Sequence, residues 1–457
     1  MLSLSSLRAV VHSRARMRSL SLILLTLSIG AIFKAAAFWR ETYIASRFGV
    51  SADTDVYFGL QQIPMALVAF ILGAFGLAFT PAYTRARQTE EGSCWIAGIL
   101  TFAAILGLIG SAVTIAAEPF LIHAIHAHAS PTAHLTLLLL SLSYAPILVT
   151  GLWVCISNSA GRTLLSLTVT GLPYLMMTLT LVALCVWPRM QPLSLPASWL
   201  AGFTLTATAG LWVLVKTERF SFAISSVFIL FRLDSFRRFL GQLGSSVLEN
   251  AGFITNQLLM VSFFGMAGSG AITANNYAMR IGMLGYAIFA MPLSQIAQSR
   301  LCTEQSARGR QQLFIRELMT MALVVGAVAG TLFIFRADIT RLVYLRGRFS
   351  IAQLQFVVSL LPAWLSYFVV LSLNAVISRM LFARHEGMRY TRTMLCAYTV
   401  SNLLRLLTGG HSAPALIIWS AVAAEGTAFL WNLRLCLGRP VQEKSAKLHP
   451  LTAPVSA

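Results

Sequence analysis

The sequence predicts an all-α polytopic membrane protein of about twelve transmembrane helices, set as two six-helix pseudo-repeats around a central cavity. Three observations predict it. The 457 residues are 57% hydrophobic and only 11% charged, with mean hydropathy +0.75, where a soluble domain carries about 25% charged residues. Twelve apolar runs each approach the ~20 residues needed to cross a hydrocarbon core. The loop cations alternate in density, as a membrane orders them.

The twelve runs fall at about 19–39, 57–83, 95–117, 135–156, 163–187, 198–215, 239–265, 272–298, 313–335, 353–378, 393–409 and 413–435, the eleventh being the shortest. With the N-terminus inside, the inner segments hold 24 Lys and Arg and the outer segments 7. That asymmetry places both termini in the cytoplasm. Four of the outer arginines, Arg336, Arg341, Arg346 and Arg348, share one loop. The formal charge of +19 is therefore a property of short loops, and a nucleic-acid partner is set aside.

In chain order, residues 1–18 form a basic cytoplasmic N-terminus with Arg8, Arg14, Arg16 and Arg18. A signal peptide ending at Ala35-Ala36-Ala37 is the alternative, but the following run is long enough to span. Residues 19–217 make an N-terminal six-helix lobe and 239–436 a C-terminal one. Between them, 218–238 mixes apolar residues with cations near both ends, as a helix lying on the cytoplasmic membrane surface does. Residues 437–457 are polar, with Pro440, Pro450 and Pro454, and read as a disordered tail.

A weak internal repeat supports the two halves. Phe48-Gly49 precedes Asp55 and Tyr57; Phe264-Gly265 precedes Asn276 and Tyr277. Transporters built from such repeats carry the substrate site between them. Pro64, Pro146, Pro173, Pro292 and Pro362 fall inside spans, where each removes a backbone donor.

Several chemistries are set aside. The six cysteines form no CxxC pair, so neither a disulfide framework nor a metal site is expected. His123, His126, His128 and His134 crowd one outer loop without a standard zinc spacing. No GxxxxGK[ST] phosphate loop is present, which argues against ATP-driven pumping. An enzyme acting on lipid-linked sugars needs catalytic carboxylates in a sizeable outer loop, and the outer loops here hold few.

The informative residues are the charges inside the spans. Lys34 lies roughly 22 Å along the first span from the inner surface, and Arg280 roughly 12 Å down the eighth from the outer surface. Arg405 falls in the outer half of the eleventh, Arg40 at the outer interface, and Asp55 close by. Isolated in lipid, each cation costs about 2.5–3.5 kcal/mol. Together they are expected to face one wet cavity, and such a cavity wants an anion. The planar guanidinium matches phosphate oxygens. Glu249 and Glu425 lie near mid-depth of the seventh and twelfth spans. They are candidates to bind a proton or Na+ and couple it to transport.

The stretches Phe38-Trp39-Arg40-Glu41, Ile44-Ala45-Ser46-Arg47-Phe48-Gly49 and Thr54-Asp55-Val56-Tyr57-Phe58, followed by Pro64, resemble the opening of the MurJ/MviN family. So do Gly73-Ala74-Phe75, Ala78-Phe79-Thr80-Pro81, Tyr277-Ala278-Met279-Arg280 and Arg346-Gly347-Arg348-Phe349-Ser350. The resemblance implies a fold of the multidrug/oligosaccharidyl-lipid/polysaccharide (MOP) exporter superfamily, like that of MATE transporters. It implies a flippase that moves an undecaprenyl-diphosphate-linked saccharide from inner to outer leaflet by alternating access. Peptidoglycan or cell-surface polysaccharide assembly follows as its setting, in the bacterial inner membrane alongside cell-envelope synthesis proteins. No organic cofactor is implied, only a coupling cation or the membrane potential.

Carried over by position, the family's cavity cations fall at Lys34 (usually arginine), Arg40 and Arg280, and its second-helix carboxylate at Asp55. The family's basic pair and glutamate on the second helix are absent here, with Val68 and Gly73 in their places. Met279 stands where an acidic residue often precedes the arginine. Twelve spans are present where the family usually has fourteen. The substrate that the resemblance implies is thus lipid II or a related polyprenyl-diphosphate glycan. A cation-coupled MATE-like exporter of small molecules is the alternative.

Overall fold

In the computed structural model the described residues are 35–71, 92–125, 132–160, 162–187, 191–218, 225–304, 306–384, 386–408 and 413–438, with isolated positions between 28 and 33 and between 75 and 83. Among them the chain is helical and connected by short turns. Residues 35–48 form α1. Then come α2 (Ala52–Phe70), α3 (Gly92–Ala116), α4 (Glu118–Ala124), α5 (Ala133–Leu142), α6 (Tyr144–Ser159), α7 (Thr163–Leu184) and α8 (Gln191–Glu218). A short α9 (Ser225–Arg232) leads to α10 (Asp234–Met266), α11 (Ala271–Gly282), α12 (Met291–Thr303), α13 (Ala307–Ile334), α14 (Arg336–Tyr344), α15 (Ile351–Ala383), α16 (Gly387–Thr408) and α17 (Pro414–Leu437).

Apart from the short α4, α9 and α14, the described helices group into twelve segments in the order of the twelve apolar runs. Seven are long and apolar enough to cross a membrane by composition alone: α3, α5 with α6, α7, α8, α13, α15 and α17. The others, α1, α2, α10, α11 with α12, and α16, are more polar, because they carry the charges and amides that face other helices. The eleventh span is longer than its hydropathy suggested: α16 runs 22 residues from Gly387, about 33 Å at 1.5 Å per residue. Large apolar side chains such as Leu323, Leu407 and Leu430 are exposed around the bundle, as a surface solvated by lipid requires.

Local chemistry sets the boundaries. Ser51 caps α2 and Ser350 caps α15, each in a reciprocal box with Thr54 or Gln353. Pro146 interrupts its span at Ser143, so α5 and α6 are two pieces of one crossing. Pro292 has the same effect at the first turn of α12. A π-helical turn at Tyr286–Ala290 precedes it and breaks the eighth span. Pro64, Pro173 and Pro362 stay inside continuous helices.

Helices α6, α7 and α8 pack on one another and α6 packs on α3, while α15 gathers α11, α12, α13 and α17 around it, and α16 bridges α10 and α17. The two groups meet where α2 packs along α10 and α11. One apolar core runs from the N-terminal helices across this junction to α10, α11 and the first half of α15. A second lies wholly among the C-terminal helices. The linker helix α9 lies against α3, with Leu230 buried and Phe228 exposed.

Candidate functional site: a charged bridge between the two halves

At one end of the bundle, α2 and α11 begin side by side. The Asp55 carboxylate caps α11. Thr273 donates from its N–H (2.8 Å) and hydroxyl (2.6 Å) to Oδ1, and the Gly270 N–H donates to Oδ2. A helix N-terminus has unpaired N–H groups and a positive dipole end, so a carboxylate from the other half is a strong partner there.

The same end carries more cross-links. The Arg348 N–H donates to the Ser46 carbonyl (2.9 Å), Gln353 Nε2 to the Val50 carbonyl (3.2 Å) and the Tyr277 hydroxyl to the Gly49 carbonyl (3.3 Å). Gly49 and Gly347 both sit at positive φ, 65° and 60°. A Cβ on Gly347 would lie 2.2 Å from the Ser46 carbonyl oxygen. The turn after α1 and the turn before α15 therefore touch backbone to backbone, which only glycine permits here. Behind them Phe58, Tyr277, Tyr344 and Phe349 pack edge and face. This end is a latch between the halves.

Just below the latch lie the buried charges. Arg40, on α1, is 2% exposed. Its Nη2 donates to Glu41 Oε1 at 2.6 Å, its Nη1 reaches the Met177 sulfur at 2.8 Å, and its guanidinium lies 5.9 Å from the Tyr174 ring centre. Arg280, on α11, approaches the same Glu41 oxygen at 3.8 Å. One carboxylate thus joins a cation of the N-terminal half to a cation of the C-terminal half. Two guanidiniums share one negative charge, so the cluster keeps a net positive charge. Glu41 Oε2 and the Nε atoms of Arg40 and Arg280 have no hydrogen-bond partner among the described residues.

The expected site residues thus separate. Arg40 and Arg280 come together. Arg40 is buried within the bundle, although depth counting placed it at the interface. Asp55 is adjacent and engaged in the cap. Lys34 lies outside the described residues, as does the side chain of Glu249. Arg405 does not join the cluster, which corrects the expectation of one pocket shared by all the cations. It is 1% exposed and binds inside the C-terminal half. Its Nε donates to Ile417 O and Ser420 Oγ (3.2 and 3.1 Å), and its Nη1 to Asn256 O, Asn256 Oδ1 and Asn402 Oδ1 (3.1, 2.8 and 2.9 Å). The physical reason is that α10, α16 and α17 supply enough oxygens to solvate its charge locally. Glu425 is likewise internal to that half. The Tyr367 hydroxyl donates to its Oε1 at 2.6 Å, and its Oε2 has no partner among the described residues.

Glu41, the last residue of the Phe38-Trp39-Arg40-Glu41 stretch, is the functional residue that the sequence alone leaves without a role. The signal was its place beside Arg40 in an apolar helix, where an unpaired carboxylate would be costly. Val68 lines a small apolar crevice with Ile71, Thr150, Pro173 and Tyr174.

Two helical halves meeting at a shared ionic bridge, latched at one end, make up a polytopic helical membrane protein. Solved structures agree on the fold. A structure titled "Lipid II flippase MurJ, inward closed conformation" superposes with TM-score 0.76 at 18% identity, covering 90% of this chain and 87% of that one. An inward-facing multidrug resistance MATE transporter gives 0.64 at 14% identity, covering 90% and 98%. A MOP superfamily transporter from Pyrococcus furiosus gives 0.59 at 15%, covering 90% and 93%. The family model described as "Lipid II flippase MurJ" matches residues 44–435, and the chain belongs to that family. No individually curated protein matches the sequence.

Proposed function

We propose that this protein is a flippase for a polyprenyl-diphosphate-linked saccharide, lipid II or a related glycan. It carries the headgroup from the cytoplasmic to the outer leaflet of the bacterial inner membrane by alternating access. The observation that carries the reading is the Arg40–Glu41–Arg280 bridge, buried where the two halves meet. A diphosphate entering here offers oxygens to both guanidiniums and competes with Glu41 for them. Binding then exchanges a protein–protein ion pair for a protein–ligand one, which weakens the tie between the halves. A ligand with different contacts in two states shifts their balance by that difference. Lys34, six residues before Arg40 in the sequence, is assigned to the same diphosphate. Arg405 holds α10, α16 and α17 together.

On this reading the latch end faces outward and both termini lie in the cytoplasm, as the loop cations require. The Asp55 cap keeps the outer side shut until substrate is bound. Glu425 and Glu249 serve a coupling cation, Na+ or H+, in the C-terminal half, and the membrane potential adds to the drive. Cell-envelope synthesis proteins supply and consume the lipid. The reaction is transport with no bond broken, so no enzymatic step is assigned.

The test is direct. When a bacterium's own lipid II flippase is depleted, this gene is expected to restore growth, and its Arg280→Ala variant to insert normally without restoring it. If Arg40→Ala and Arg280→Ala proteins both flip lipid II in vesicles at the parental rate, the reading is wrong. A second reading, a cation-coupled exporter of small molecules, is favoured by Glu425, a buried carboxylate with no cation within 4 Å among the described residues. A drug-efflux assay in a pump-deficient strain separates the two.

A further inference from the structure

Helices α2 and α11 run side by side in a constant register. Thr54 and Thr273 have their hydroxyl oxygens 3.0 Å apart, and one turn later the Phe58 ring meets Tyr277 edge on at 5.6 Å. Both contacts pair positions 219 apart in sequence. Thr54, Phe58 and Gln61 form one i, i+4, i+7 stripe on α2, and Thr273, Tyr277 and Arg280 form the matching stripe on α11. The next rung therefore sets Gln61 at the level of Arg280. Asn276 lies on the same side of α11, one turn from both Thr273 and Arg280.

These two amides are anomalous. Gln61 is 0% exposed and Asn276 2%. Neither the nitrogen nor the oxygen of either side chain has a hydrogen-bond partner among the described residues. Buried amides are nearly always bonded, because an unmade hydrogen bond forfeits the group's hydration. Four such atoms close to the Arg40–Glu41–Arg280 bridge have no role in holding this conformation together. Leucine would fill the same space at lower cost.

We infer that Gln61 and Asn276 form a saccharide subsite, binding the hydroxyl and acetamido groups of the first sugar on the diphosphate. The inference rests on the flippase reading, which assigns the diphosphate to Arg40 and Arg280. An amide side chain offers two N–H donors and one carbonyl acceptor, the complement of neighbouring sugar hydroxyls. Neutral amides match neutral hydroxyls, whereas an added cation here would bind phosphate instead. The subsite lies beside the cationic bridge, where the first sugar falls once the diphosphate is held. It makes recognition depend on the sugar as well as on the charge.

The experiment measures binding of two lipids to the full-length protein in nanodiscs by native mass spectrometry. The probes are lipid II and undecaprenyl diphosphate, which share the diphosphate and tail and differ in the sugar. Gln61→Leu and Asn276→Leu are each expected to weaken lipid II binding about two- to tenfold, the range of one neutral hydrogen bond. Both are expected to leave undecaprenyl diphosphate binding unchanged. Arg280→Ala is expected to weaken both lipids. Thermal melting of the leucine variants is expected to match or exceed the parent, since they remove unpaired polar groups. Gln61→Asn and Asn276→Gln supply a second pair that keeps the amide but moves it, and these too are expected to lose only lipid II affinity. If all four variants bind lipid II like the parent while Arg280→Ala fails, the subsite is overturned and the flippase reading stands. If the parent binds neither lipid, both are overturned.

Discussion

Replacing Glu41 with glutamine removes the one negative charge shared by Arg40 and Arg280 and keeps its size. Two unit charges 3.8 Å apart, as Glu41 and Arg280 are, attract by about 4 kcal/mol at an effective dielectric near 20. Arg280 is about a quarter exposed and recovers part of that from water. Arg40 cannot, because it is buried from water beside the Met177 sulfur and the Tyr174 ring. Breaking a buried pair on one side costs about 3–5 kcal/mol, and the partial exposure of Arg280 points to the lower end. Glu41→Gln is thus expected to destabilise the protein by about 3 kcal/mol. In a double-mutant cycle with Arg280→Gln, about 1–2 kcal/mol of coupling is expected. The assay is steric-trapping unfolding in bicelles of the parent, both single variants and the double. A Glu41→Gln protein within 0.5 kcal/mol of the parent, or strictly additive single effects, would refute the bridge.

Other outcomes follow from the same geometry. Asp55→Asn keeps the shape but loses the charge at the α11 N-terminus, and is expected to weaken the latch by about 1–2 kcal/mol. Spin labels at the exposed Arg47 and Arg346 positions would report this as a larger population of the long distance. Gly347→Ala places a Cβ 2.2 Å from the Ser46 carbonyl oxygen at φ 60°; it is expected to open the same end at least as far, and an unchanged distance distribution would count against the latch. Arg405→Gln strands the Asn256 and Ile417 carbonyls and is expected to cost about 2–4 kcal/mol. Lysine is expected not to rescue it, since it lacks the fork that reaches both helices.

A fourth outcome concerns pH. Glu304, in the loop between α12 and α13, accepts from the Ser306 N–H and hydroxyl (3.0 and 2.9 Å), and these bonds hold its carboxyl below the usual glutamate range. The folded value is depressed, so the loop's anchoring is complete above the ordinary glutamate range and is lost as pH falls through the depressed one. Hydrogen exchange of the Ser306 amide should accelerate in that acid window beyond its intrinsic rate and match Glu304→Gln there.

The sequence by itself determined the membrane class, the twelve spans and the family likeness. Hydropathy and loop charge are local quantities, and lipid imposes them segment by segment. It also marked Arg40, Asp55 and Arg280, because a charge inside an apolar run stands out without any knowledge of its neighbours. Which charges share a site was a different matter. Counting residues along straight helices gives depth but not azimuth, so Arg405 fell beside Arg280 on paper. In the fold it is solvated by α10 and α17. Only the tertiary structure made Glu41 the link between halves, spent Asp55 on a helix end, and set Gln61, at the level of Arg280, and Asn276, one turn away, without hydrogen-bond partners among the described residues. The contacts that join the halves, Glu41 to Arg280 and Asp55 to Thr273, link residues far apart in the chain. No local pattern in the chain encodes that proximity.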